Sequence, residues 1–195
     1  EMISRAYLKM AEALAWSSLP LVKGDWVVEL GCAPGGASQA LLDAGLKVLG
    51  VDPAEVDEAL LKNPRFTHIR RRTKQLPKTA LADAQWLCVD MNVAPKFTLD
   101  AVEDVVRHKA PKVRGMLITL KLPNWEVLDE IPQFIARIQE WGYRDVRVRQ
   151  LAFNRQEICL AVLKTRGQRR MLRERSGRRY RVEPAHAAPP SPHVL

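Results

Sequence analysis

The sequence predicts an α/β fold: a doubly wound, mostly parallel sheet with helices on both faces and an antiparallel hairpin at one edge. Three observations carry that prediction. Strand-like apolar runs alternate with segments of helical length from Ser4 to Leu163. Met116 to Leu120 is almost continuously apolar, as in a strand buried on both faces. Val27 to Gln39 reads as a buried strand that stops at a carboxylate, then a glycine-rich turn, then the start of a helix. Parallel α/β sheets offer backbone N–H groups to a nucleotide-like ligand at such a junction.

The elements follow in order. Ser4 is a capping residue ahead of Tyr7, Met10, Ala11 and Leu14, which recur at helical spacing. Gly24-Asp25 turns the chain into a strand over Trp26 to Leu30. Ala37 to Ala44 reads as a helix stopped by Gly45, and Lys47 to Val51 as the second strand. Asp52 and Pro53 suit the cap and first turn of a helix running to Lys62. A short strand is expected over Phe66 to Ile69 and a clearer one over Gln85 to Val89, followed by a helix from Leu99 to Lys109. After Met116 to Leu120, Pro123 precedes a helix reaching Trp141, which Gly142 ends. Arg144 to Arg149 and Glu157 to Leu163 then follow with no helix between them, so they pair as a hairpin.

The chain of 195 residues carries a formal net charge of +9, which implies a polyanionic partner. The charge is concentrated late. Residues 165–195 hold eight arginines against only Glu174 and Glu183, then four prolines between Pro184 and Leu195. The expected division is therefore a folded domain over 1–164 and a basic, proline-rich, disordered tail over 165–195. A second basic cluster comprises Arg65, Arg70, Arg71, Arg72, Lys74 and Lys78. No apolar run approaches the ~20 residues that span a bilayer. No secretory leader opens the chain, and Cys32, Cys88 and Cys159 lack metal-ligand spacing. A cytoplasmic monomer without a metal or a membrane partner is expected.

The glycine loop leaves two cofactors open at first. Gly31-x-Ala33-x-x-Gly36 is one substitution from a dinucleotide fingerprint, and Asp52 follows at a spacing suited to a ribose hydroxyl. Asp52-Pro53-Ala54-Glu55 is also nearly a capping box, so the aspartate has a structural reading beside the functional one. Two details favour S-adenosylmethionine. Glu29 would oppose a pyrophosphate but suits a ligand's ammonium group, and Pro34-Gly35-Gly36 keeps side chains away from a ligand at the strand end. The expected cofactor-binding set is Glu29, Gly31, Cys32, Ala33, Pro34, Gly35, Gly36, Asp52 and Asp90.

Several segments occur together in order: Ser4-Arg5-Ala6-Tyr7-Leu8-Lys9, Glu29 to Gly36, Asp90, Ile118-Thr119-Leu120-Lys121-Leu122-Pro123, and Asn154-Arg155-Gln156-Glu157. This set resembles the FtsJ-like family of RNA ribose 2′-O-methyltransferases. Within it, the Lys-Leu-Pro and Arg-Gln-Glu runs are similar to bacterial enzymes acting on a cytidine ribose of large-subunit ribosomal RNA. The resemblance implies a Rossmann-like class I S-adenosylmethionine-dependent methyltransferase fold with seven strands. It also implies RNA as the partner and a Lys-Asp-Lys-Glu tetrad around the reacting ribose, at Lys9, Asp90, Lys121 and Glu157. The residues allow that reading independently. Asp90 and Lys121 would stand at the carboxyl ends of central strands, and Glu157 would open an antiparallel strand at the same rim. Lys121 is the expected central group, either accepting the hydroxyl proton or stabilising the oxyanion, with its resting protonation left open.

One departure stands out. The family usually places an acid after the third strand, near the adenine amine, whereas His68 to Lys74 here holds no carboxylate. Either backbone groups or Asp83 take its place, or cofactor affinity is weakened. The Ser4–Lys9 motif lies at the chain's beginning, so an upstream RNA-binding segment is also expected. Two rival readings use the same fold: methyl transfer to a small molecule or protein, and a non-catalytic RNA-binding module.

Overall fold

The computed structural model describes residues 1–168. The arginine run from Arg169 onward and the proline-rich end lie outside the described residues, so the expected tail is described only over 165–168. There Gln168 donates to the carbonyl of Arg114, and Arg166 lies 3.9 Å from Asp145.

Seven strands form one sheet: β1 (Trp26–Leu30), β2 (Lys47–Val51), β3 (Phe66–Ile69), β4 (Trp86–Val89), β5 (Gly115–Lys121), β6 (Asp145–Arg149) and β7 (Glu157–Leu163). Their order is β3-β2-β1-β4-β5-β7-β6. The first five are parallel; β7 is antiparallel to β5, and β6 to β7. Central strands are buried on both sides, which is why β4 and β5 are runs of apolar residues rather than alternations. Alternate side chains of β1 feed two separate cores. Val28 and Leu30 pack toward α4 (Pro95–Asp104) and α5 (Ile131–Glu140), while Val27 packs toward α1 (Ala6–Ser17) and α2 (Gly36–Asp43). The carboxyl ends of β1 to β5 and the amino end of β7 therefore share one rim.

Three helices depart from the sequence reading. The helix expected over Pro53 to Lys62 shrinks to α3 (Glu58–Leu61), capped by Asp57, whose side chain accepts from the N–H of Ala59 at 2.8 Å. Asp52 is not its cap: its carboxylate holds the N–H of Ala54 at 2.8 Å and of Ala33 at 3.2 Å, bending the chain away from helix. The helix expected from Pro123 to Trp141 divides at Pro132. A proline inside a helix removes an N–H and clashes with the preceding turn, but it suits a first turn. Accordingly a 3₁₀ segment, Trp125–Glu130, precedes α5. The helix expected from Leu99 begins earlier, with Pro95 in its first turn, and ends in a π-helical turn, Val105–Lys109.

Candidate active site

Two cavities meet at the sheet's carboxyl rim. The larger, about 540 Å³, lies over the ends of β1, β2 and β4 and is walled by Gly31, Ala33, Asp52, Asp90, Phe97 and the segment Arg71 to Lys74, among others. The smaller, about 430 Å³, lies over the β5–β7 end and is walled by Lys121, Leu122, Pro123, Arg155, Gln156 and Glu157. Asn92 and Val93 line both. The larger sits beside β1, where connections from β1 run to one side and those from β4 to the other, the usual ligand crevice of such sheets.

The glycine loop closes this crevice from below. Gly31 has φ of +80°, and a Cβ there would lie 2.6 Å from the carbonyl oxygen of Asp90. Its lack of a side chain lets the ends of β1 and β4 approach. At Gly36 a Cβ would lie 2.2 Å from Ser4 Oγ and 2.8 Å from the Ser4 carbonyl. That glycine admits the chain entering α1 rather than widening the cavity. Pro34 and Gly35 likewise stand behind the wall, the Pro34 carbonyl accepting from the N–H of Asp57 at 2.9 Å. Cys32 is buried, packed where Gly50 has no side chain.

Four side chains from four elements form a closed ring of alternating charge. Lys9 Nζ lies 2.7 Å from Asp90 Oδ2 and 2.6 Å from Glu157 Oε2. Lys121 Nζ lies 3.2 Å from Asp90 Oδ1 and bonds directly to Glu157 Oε1. Fold topology explains the convergence. Lys121 and Glu157 are register partners across β5 and β7, Asp90 follows β4 immediately, and Lys9 reaches over from α1 beside the buried Met10 and Ala13. All four are mostly buried, so each charge depends on the others for its solvation.

Burial alone would lower the Lys121 pKa, but the bond it donates to Glu157 and the charges of Asp90 and Glu157 outweigh it and hold the ammonium above its ordinary range. Burial would raise Glu157, yet its bonds from Lys121 and Lys9 pull it below the ordinary carboxylate range. Lys121 is therefore protonated at rest. The opposite holds for Glu29. It is 1% exposed, and burial pushes its pKa up to about 8, helped by Asp90 and Asp52 against a bond with Ser38. Its Oε1 has no hydrogen-bond partner among the described residues. Burial pushes the thiols of Cys32, Cys88 and Cys159 up, so none is a nucleophile at neutral pH.

The structure thus brings Lys9, Asp90, Lys121 and Glu157 together, and puts Gly31, Ala33, Asp52 and Asp90 on the cavity wall. Glu29, Cys32, Pro34, Gly35 and Gly36 lie behind it. Asp83 is not a substitute near that wall: it faces the other end of the sheet and pairs with Lys112 at 2.8 Å. Two supports escaped the sequence reading. Asn154 accepts from the N–H of Leu151 at 2.9 Å and donates to Glu157 Oε2 at 3.2 Å. Glu12 receives the N–H groups of Ala152 and Phe153 at 2.8 and 2.9 Å, fastening that loop to the helix that carries Lys9. No group of three or more His, Cys, Asp or Glu suited to a metal occurs among the described residues, and no helix there is long and apolar enough to cross a membrane.

This sheet order, with its antiparallel β7, is the fold of class I S-adenosylmethionine-dependent methyltransferases. Human methyltransferase-like protein 13, solved in complex with SAH, superposes with a TM-score of 0.57 at 13% identity, covering 94% of this chain and 96% of that one. The chain belongs to the FtsJ-like methyltransferase family, whose model matches residues 2–166. The ribosomal RNA large subunit methyltransferase M of Hahella chejuensis is 29% identical over 171 residues, covering 82% of this chain and 43% of that protein. Its namesake in Alkalilimnicola ehrlichii is 32% identical over 171 residues, covering 80% and 44%. The chain spans less than half the length of these relatives.

Proposed function

We propose that this chain transfers a methyl group from S-adenosylmethionine to a ribose 2′-hydroxyl of RNA, with large-subunit ribosomal RNA as the substrate class. The observation that carries the proposal is the closed Lys9–Asp90–Lys121–Glu157 ring at the junction of two cavities. The names of the two relatives support the choice of RNA. A cytoplasmic workplace accompanies that substrate.

The larger cavity fits the cofactor on three counts. Asp52 holds two backbone N–H groups and retains lone pairs toward the cavity for ribose hydroxyls. Gly31 and Ala33 present backbone at its floor. Glu29 keeps an unpartnered buried oxygen beneath the loop, an acceptor for an ammonium group that becomes its counter-charge once the Glu29 proton is released. Cys32, Pro34, Gly35 and Gly36 shape the loop from behind, and Asp90 closes the cavity toward the ring.

When bound, the cofactor supplies a sulfonium methyl, an electrophile that needs little activation. The protein's task is alignment and proton removal. Lys121 Nζ, charged at rest, donates to the acceptor oxygen and fixes its orientation. The hydroxyl proton becomes strongly acidic as the new C–O bond forms, so a neighbouring carboxylate takes it. Asp90, on the wall of the donor cavity, is that carboxylate. Glu157 holds both lysines in place, and Lys9 neutralises the pair of acids. Transfer of tritium from labelled cofactor to RNA, with Lys121→Ala as control, tests the proposal. Label in RNA that survives the substitution, or that enters protein or small molecules instead, refutes it.

A further inference from the structure

The larger cavity has a second wall that the proposed chemistry does not use. In strand order three strands separate β3 from β5, so the segment after β3, Arg71 to Lys74, walls the side remote from Lys121. Facing into the same cavity is one stripe of α4. Phe97, Asp100 and Ala101 stand at i, i+3 and i+4, and all three line it. Phe97 is 62% exposed, a flat apolar ring left open at the cavity's rim.

Three carboxylates reach this cavity, and two are committed. Asp90 binds Lys9 and Lys121, and Asp52 binds the N–H groups of Ala33 and Ala54. Asp100 is bound through Oδ1 alone, to Arg137 at 2.7 Å, and its Oδ2 has no hydrogen-bond partner among the described residues. The support behind it is rigid. Arg137 is gripped by Glu103 at 3.1 Å through Nε and 2.6 Å through Nη2, and lies over the ring of Trp141 at 5.6 Å. That guanidinium fixes the orientation of the Asp100 carboxylate.

The facing segment supplies mainly donors. Arg71, Arg72 and Lys74 carry N–H groups only, and the Thr73 carbonyl already accepts from the buried Lys109 at 3.1 Å. An exocyclic amine, which can only donate, finds its charged acceptor on α4. We propose that Asp100 accepts a hydrogen bond from the adenine amine of the cofactor, with Phe97 against the ring, so that this chain reads adenine from α4. The inference rests on the cofactor reading above.

Calorimetric titration with S-adenosylhomocysteine and S-inosylhomocysteine, which carries an oxygen in place of the amine, tests it. The wild-type chain should prefer the adenine form by about tenfold or more, the worth of a hydrogen bond to a charged group. In Asp100→Asn, whose carboxamide can accept or donate, the preference should fall to about threefold or less, and likewise in Asp100→Ala. Phe97→Ala should weaken both ligands and keep the ratio. A wild-type chain that binds both forms equally overturns the assignment while the cofactor reading stands. So does an Asp100→Asn variant that weakens both alike and keeps the full ratio, since that is how a purely structural partner of Arg137 behaves. A wild-type chain that binds neither ligand overturns the cofactor reading and this inference together.

Discussion

Replacing Glu29 by glutamine should stabilise the protein increasingly as pH rises. The folded chain holds the Glu29 proton up to about pH 8, because the carboxyl is fully buried; an unfolded chain releases it near pH 4.5. Stability from this group is therefore complete below about pH 4.5 and is lost as pH climbs to about 8. Between pH 5 and pH 7.5 that linkage costs the wild-type chain about 3 kcal/mol. Glutamine keeps the shape and the contact with Ser38 but does not titrate. Every other group cancels in the difference between the two proteins. Thermal unfolding of both across pH 5 to 8 reads the effect directly. At 2–4 °C per kcal/mol for a chain of this size, the gap between glutamine variant and wild type should widen by about 6–12 °C. A gap that stays constant across that range would refute the buried, protonated state.

Three further outcomes follow from the same geometry. An ammonium group bound near Glu29 should draw out its proton, so cofactor binding at pH 7 should release up to one proton, measured by calorimetry in buffers of different ionisation enthalpy, and Glu29→Gln should abolish the release. Asn154→Ala strips Glu157 Oε2 of a donor and the Leu151 N–H of its acceptor; turnover should fall about tenfold or more while the KM for cofactor stays unchanged, with stability lower by about 1–2 kcal/mol. Gly31→Ala meets both a positive φ and a Cβ 2.6 Å from the Asp90 carbonyl; unfolding should come several degrees earlier, and affinity for S-adenosylhomocysteine should drop with the displaced β4 end.

Periodicity made the sheet legible. β1, β2, β3 and β7 occupy the residues expected of them, and β4, β5 and β6 differ by a residue or two at their ends. The meeting of Lys121 with Glu157 was also readable, since an antiparallel strand returning from the rim must bring its first residue opposite the last of its neighbour. What local pattern could not convey was competition for side chains. Asp52 looks like a helix cap until Ala33, from a different loop, claims one of its oxygens. Pro132 looks like an interior residue of a long amphipathic helix until its ring forces a restart. Asn154 was visible in its motif, but its task depends on a loop folding back on itself and on α1, which no periodicity announces. Asp100 sits in an ordinary helical stripe, and only the shape of the cavity shows which way that stripe faces.

The central claim is that the ring of Lys9, Asp90, Lys121 and Glu157 directs a methyl group to a ribose oxygen. Its most direct test is mass spectrometry of nucleosides released from RNA lacking 2′-O-methylation, after incubation with the protein and isotopically labelled S-adenosylmethionine. The expected product is a nucleoside labelled on the ribose 2′-oxygen, absent when Lys121 is replaced by alanine. Label on a base, or on the ribose in undiminished yield with Lys121→Ala, would contradict the claim.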